Sequence, residues 1–146
     1  MKATQYGKYI IKTPKPADET DPPKDGPDVM TPMTYIDDTI IKGAFYSECL
    51  WFRKPTKLSP PEHVHDFDEI LSFFGSDPDN PKDLCGEVEL WLDDEKHILT
   101  ESCSVYIPKG MKHCPMIVRK VDRPIFHFST GTSGKYSKDT GLIETD

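Results

Sequence analysis

The residues best suited to chemistry lie in one short run, His63-Val64-His65-Asp66-Phe67-Asp68-Glu69. Side chains alternate faces along an extended chain, so His63 and His65 point the same way, and Glu69 keeps that parity if the chain stays extended or turns by an even count. Two imidazoles and a carboxylate thus converge as nitrogen and oxygen donors. Asp66 and Asp68 have the opposite parity, which places them at the rim or in solvent. A second pattern follows at Pro108-Lys109-Gly110-Met111-Lys112-His113. Proline fixes φ and glycine permits a positive one, so Pro-x-Gly marks a turn between two strands. His113 then starts the outgoing strand, which carries His113, Pro115 and Ile117 on one side. Alternation turns Cys114 the other way, away from the donors.

Together the two patterns resemble the paired motifs of the cupin superfamily, Gly-x5-His-x-His-x3-Glu-x6-Gly and Gly-x5-Pro-x-Gly-x2-His-x3-Asn. The resemblance covers roughly residues 35–130 and departs from the motifs only at turn and packing positions. Lys57 and Ser102 stand at the leading glycines, Gly75 comes one residue early, and Ile117 replaces the closing asparagine. The resemblance implies a small single-domain cupin of the RmlC-like type: all-β, a double-stranded β-helix or jelly-roll barrel, with a metal inside. It also implies His63, His65, Glu69 and His113 as ligands, and a homodimer. Three neutral imidazoles and one carboxylate suit one divalent transition ion, Fe, Mn, Ni, Cu or Zn. An octahedral ion held by four side chains keeps about two positions open for water, substrate or oxygen. A purely structural zinc would more often be closed by cysteines.

Other side chains are candidates around that centre. His127, in Phe126-His127-Phe128, faces opposite its aromatic neighbours and is a proton shuttle if that face is inward. The alternative is a hydrogen-bonded or surface histidine. On the strand at 44–53, Arg53 shares a face with Cys49 and Trp51, Tyr46 and Glu48 occupy the other, and only one set lines a cavity. Arg53 would clamp a substrate carboxylate in bidentate fashion, with Trp51 walling the pocket. Tyr46 and Glu48 would act as acid or base beside the ion. Phe73, Trp91, Tyr106 and Phe126 read first as barrel packing.

Positioning these residues requires an all-β domain. Short runs rich in Ile, Val, Phe, Tyr and Trp predict strands at 35–41, 44–52, 63–65, 69–74, 87–92, 97–100, 104–107, 114–119 and 125–129. Asp93-Asp94-Glu95-Lys96 makes a tight polar turn that puts Val88, Leu90 and Leu92 on one face of a hairpin. Six of the 14 prolines fall in the first 33 residues, so 1–33 reads as an extended proline-rich arm. Its Tyr6, Tyr9, Ile10 and Ile11 need a surface to cover, on the barrel or on a second subunit. The barrel spans 34–130, and 131–146 reads as a loose C-terminal tail.

The 146 residues amount to one domain, and with 36% apolar and 10% aromatic content the chain is too aromatic to be disordered. No apolar run approaches the roughly 20 residues that span a bilayer. The sequence opens without an apolar stretch of signal-peptide length, which predicts a soluble, cytoplasmic protein. A net charge of −7 offers no footprint for nucleic acid or an anionic membrane surface. Cys49, Cys85, Cys103 and Cys114 never form Cys-x-x-Cys and read as reduced thiols. The expected function is a metal-dependent cupin that binds and transforms a small carboxylate- or carbonyl-bearing molecule. Oxygenation, decarboxylation, isomerisation and lysis all fit, because fold and ligand set do not choose among them. The alternative is a non-catalytic binding or sensor module, which would lack a second functional group beside the ion.

Overall fold

Alternation of apolar and polar residues gives this chain two facing sheets. The computed structural model describes residues 4–16, 25–133 and 142–146. Among them the strands are β1 (Met30–Ile36), β2 (Tyr46–Phe52), β3 (Leu58–Ser59), β4 (Glu69–Phe74), β5 (Asp83–Leu92), β6 (Glu95–Glu101), β7 (Cys103–Ile107), β8 (His113–Val121), β9 (Ile125–Gly131) and β10 (Ile143–Glu144). A 3-10 turn at Gly7–Tyr9 is the helical element among the described residues. Among the described residues no helix is long and apolar enough to cross a membrane.

One sheet runs β1-β2-β9-β4-β7 and the other β6-β5-β8, with β3 and β10 forming a short third pair. All pairings are antiparallel. Strand β9 lies between β2 and β4 although it follows both in sequence. That crossover makes a jelly-roll barrel rather than a meander. Leu50 and Phe52 of β2, Leu71 and Phe73 of β4 and Ile125 of β9 share the core with Val88 and Leu90 of β5 and Val118 of β8. Each such side chain contributes roughly 1.5–3 kcal/mol by leaving water. A slip of one residue would turn a strand's whole apolar set outward, so this burial also holds the register.

Six of the predicted strands return as β2 and β5 to β9 with shifted ends, and the seventh, at 69–74, returns as β4 with the same ends. The strand expected at 35–41 lies earlier, as β1. Asp37 ends it: its carboxylate accepts from the Thr39 amide at 2.8 Å, and its carbonyl accepts from the Ile40 and Ile41 amides at 3.1 and 3.0 Å. An aspartate that bonds its own following backbone replaces the ladder with a turn. Strand β1 therefore begins inside the proline-rich segment. It is an edge strand with a register shift between Pro32 and Thr34, a setting in which proline costs no ladder bond. The run 63–65 forms no strand, only an isolated bridge from His63 to His113.

Of the arm, residues 1–3 and 17–24 lie outside the described residues. In 4–16 the Thr13 carbonyl accepts from the Tyr35 amide at 3.2 Å, while Tyr6, Tyr9 and Ile10 are exposed. Of the tail, 134–141 lie outside the described residues. The last residues are tied down, since β10 pairs with β3 and the Thr145 amide donates to the Lys57 carbonyl at 2.9 Å.

Candidate metal centre

The two histidine-bearing stretches are far apart in sequence and are joined by their backbones. His63 and His113 exchange amide-to-carbonyl bonds of 3.1 and 3.0 Å, and the Gly110 amide donates to the His65 carbonyl at 2.9 Å. Gly110 has φ +84°, and the Met111 amide donates to the Pro108 carbonyl at 3.0 Å, so the predicted Pro-x-Gly turn is present. Asp68 does more than sit at the rim: its carboxylate accepts from the Lys109 amide at 2.7 Å and pins the first motif to this turn. Asp66 is exposed, as alternation predicts.

The joined stretches bring four donors together. Ring centroids of His63, His65 and His113 lie 4.2 to 5.1 Å apart. Nε2 of His63 is 3.1 Å from Nε2 of His65. Glu69 places Oε2 3.6 Å from Nε2 of His65 and Oε1 3.1 Å from Nε2 of His113. Donors about 2.1 Å from a shared ion stand roughly 3.0–4.2 Å apart, a range that holds these spacings of His65, Glu69 and His113, whose ligand atoms all lie within 4.8 Å of one another, with His63 adjoining them through His65.

The tautomers agree with that fit. Nδ1 of His63 meets the Pro61 carbonyl at 2.6 Å, and Nδ1 of His113 meets the Met111 carbonyl at 3.0 Å. A carbonyl oxygen only accepts, so both Nδ1 atoms carry the proton and both Nε2 atoms present lone pairs. Nε2 of His113 is buried without a hydrogen-bond partner. Its 3.1 Å approach to the Glu69 carboxylate therefore sets lone pair against lone pair. Such an arrangement is favourable only with a cation between them. His65 and His63 are also shifted toward the neutral form. Burial, then the neighbouring His63 and His113, pushes His65 down to about 4, and burial lowers His63 despite the Pro61 carbonyl.

Tyr46 completes this end of the barrel. Its hydroxyl donates to Oε2 of Glu69, and its ring meets Phe67 edge-on at 5.8 Å. Phe67 stacks on His65 at 4.6 Å and so locks the ligand ring. A Cβ at Gly131 would lie 2.5 Å from both the Tyr46 and Phe67 rings, so only glycine admits this packing. Phe67 shares the parity of His65 and Glu69, and that signal could have marked it as part of the site.

The inner face of β2 belongs to Tyr46 and Glu48, with Glu48 opposite Ser129 and two residues deeper than Tyr46 opposite Gly131. Trp51 and Arg53 take the outer face, which corrects the expectation that they bind substrate. Trp51 packs on Phe126 at 5.1 Å, and exposed Arg53 donates from Nε to Thr31 Oγ1 at 2.8 Å. His127 does face inward, but opposite Phe73 on β4, whereas Glu69 is opposite Gly131. Four residues of strand separate the two levels by roughly 13 Å, too far for a shuttle at the donors. His127 lies between Phe52 and Phe73, at 5.6 and 4.5 Å, with Nδ1 donating to the Ser72 carbonyl at 2.9 Å. Burial pushes it down to about 4. Cys114 also departs from expectation: it adopts φ +74°, alternation fails there, and its thiol sits with His63 and His113.

No protein-family model matches the chain, and no curated protein matches it in sequence. Solved structures do. The chain is similar to Peruvianin-I, described as a cysteine peptidase from Thevetia peruviana latex, at 12% identity over 97% of this chain and 82% of that one, with a TM-score of 0.57. It is similar to an oxalate oxidase in complex with the substrate analogue glycolate, at 13% identity over 86% and 60%, with a TM-score of 0.52. An RmlC-like cupin from Shewanella frigidimarina matches at 13% identity over 85% and 96%, with a TM-score of 0.45. The chain spans 60% of the oxalate oxidase and 43% of the DMSP lyase DddQ from Ruegeria pomeroyi. The likenesses with the higher TM-scores show a shared fold, and a candidate His/Glu metal-binding group lies within it in this chain.

Proposed function

We propose that the protein is an enzyme holding one divalent transition-metal ion with His63, His65, Glu69 and His113, and that it transforms a small carboxylate- or carbonyl-bearing molecule at the barrel mouth. The observation that carries this is the buried, unpartnered Nε2 of His113 facing the Glu69 carboxylate at 3.1 Å. A bound ion would act as Lewis acid toward an oxygen of the substrate at its open positions. Nδ1–H bonds to the Pro61 and Met111 carbonyls keep the His63 and His113 lone pairs aimed at the donor cluster. Phe67 holds the His65 ring in place.

Catalysis is favoured over passive binding by Tyr46, whose hydroxyl touches a ligand carboxylate and can hold or release a proton beside the substrate. With Arg53 on the outer face, substrate charge must be met by the ion and by groups inside the barrel. Exposed Tyr6, Tyr9 and Ile10 suit a homodimer in which the arm covers a partner, and we place the protein in the cytoplasm. Sedimentation should give a concentration-dependent dimer. Elemental analysis of protein purified without added metal, then an oxygen-uptake screen with iron restored, tests the reading. About one ion per chain is expected. Oxygen uptake selects an oxygenase, its absence with a bound ion selects a lyase or isomerase, and a chain that takes up no ion overturns the proposal.

A further inference from the structure

We infer that Ser59 is a positioning residue of the metal centre, holding the His63 ring in place from outside the donor cluster; the inference rests on the metal reading above. The chain at 56–63 runs antiparallel along β8. Thr56 bridges Val118 and His63 bridges His113, so six residues, 57–62, lie against four, 114–117. No regular ladder fits that mismatch, and Pro60, Pro61 and Pro115 bring no amide to it. Between the two bridges the Ser59 hydroxyl supplies the contact that the backbone lacks. Its oxygen accepts from the Met116 amide at 2.6 Å, and its proton goes to the Pro60 carbonyl at 2.7 Å. Ser59 is fully buried, and on β3 it stands opposite Ile143 of β10.

That anchor reaches the ligand through a stiff connection. Two prolines follow Ser59, each with φ locked by its ring. The second supplies the carbonyl that accepts from Nδ1 of His63 at 2.6 Å. This bond fixes the tautomer and aims Nε2 toward the other donors, 3.1 Å from Nε2 of His65. Anchoring Ser59 to β8 therefore sets where the Pro61 carbonyl stands, and with it the ring. The other ligands are held from elsewhere: His65 by the stacked Phe67, Glu69 by the Tyr46 hydroxyl and His113 by the Met111 carbonyl. The ordinary role for a buried serine is to satisfy a buried amide, here that of Met116. The two roles part in what loss of the hydroxyl does. Support of the fold would leave the ion affinity of the folded protein unchanged or lower it whichever ligands are present, whereas an anchor on the His63 segment lowers it through His63.

The test is a double-mutant cycle on the full-length chain, read as zinc affinity by chelator competition. Ser59→Ala should weaken zinc binding by about ten- to a hundredfold, the scale of an outer partner of a ligand. In the His63→Ala background, where the ring it positions is gone, the same substitution should change affinity by less than about twofold. Equal weakening in both backgrounds, or weakening in neither, overturns the positioning role and leaves the four-donor proposal standing. If Ser59→Ala fails to fold, Pro60→Gly decides: it keeps the hydroxyl and the carbonyl it donates to, removes the stiff link, and enters the same cycle with the same outcomes for and against. A wild-type chain that takes up no zinc overturns both proposals.

Discussion

At one end of the barrel three imidazoles lie within 5.1 Å of one another beside a buried carboxylate, and deeper along the same strands His127 stands alone between two phenyl rings. Both environments keep histidine neutral, since burial pushes His65 and His127 each down to about 4. The difference lies in what surrounds the lone pairs. At the mouth, several converge on one point together with a carboxylate, and proximity of like lone pairs is tolerable only around a cation. Deeper in, one ring substitutes for an apolar side chain and spends its proton on the Ser72 carbonyl. Depressed basicity alone therefore does not mark a functional histidine. Convergence of donors does.

The largest effect that separates the two regions is Phe73→Ala. Removing this fully buried ring beside His127 should cost about 3–5 kcal/mol in chemical denaturation while leaving metal affinity of the folded fraction unchanged. Coupled loss of both would show that the ends are one unit. His65→Ala is the converse: ion occupancy by elemental analysis should fall by roughly a hundredfold or more, with the strand signature in circular dichroism retained. Unfolding of that variant would instead mark a structural ion. Tyr46→Phe removes the hydroxyl from Glu69 but keeps the ring against Phe67. Chelator competition should report affinity about ten- to a hundredfold weaker, the usual scale for an outer partner of a ligand.

The smallest effect is the acid response of His127. Its folded value of about 4 lies below the unfolded 6.5, so the unfolded chain binds more protons between those values. Stability from this group is full above about 6.5 and is lost as pH falls toward 4, amounting to about 1–2 kcal/mol between roughly pH 7 and 5. His127→Leu should flatten that part of the stability profile. Measurement on the metal-loaded protein keeps His63 and His65 from contributing, and an unchanged slope would show that His127 titrates normally.

Much of this was legible in the residues. The spacing of His63, His65, Glu69 and His113 singled out side chains that the structure brings close together, and period-two alternation located β4 to the residue. Parity also divided β2 into two faces but could not say which was inside, because Tyr46 and Trp51 are equally suited to either. It failed at Cys114, where one positive φ reverses the count, and at Asp37, where a side chain competes with the ladder. His127 was correctly turned inward by alternation, yet its depth relative to Glu69 depends on the register of β9 against β4.

Local patterns follow from bonds each residue makes with its near neighbours, and so the sequence by itself determined the strand content, the donor types and the turn that precedes His113. Which face points inward, at what depth a side chain lies and whether Cys114 meets His63 depend on hydrogen bonds between strands distant along the chain. Those pairings are chosen by burial of the whole apolar set at once, and only the tertiary structure decided them.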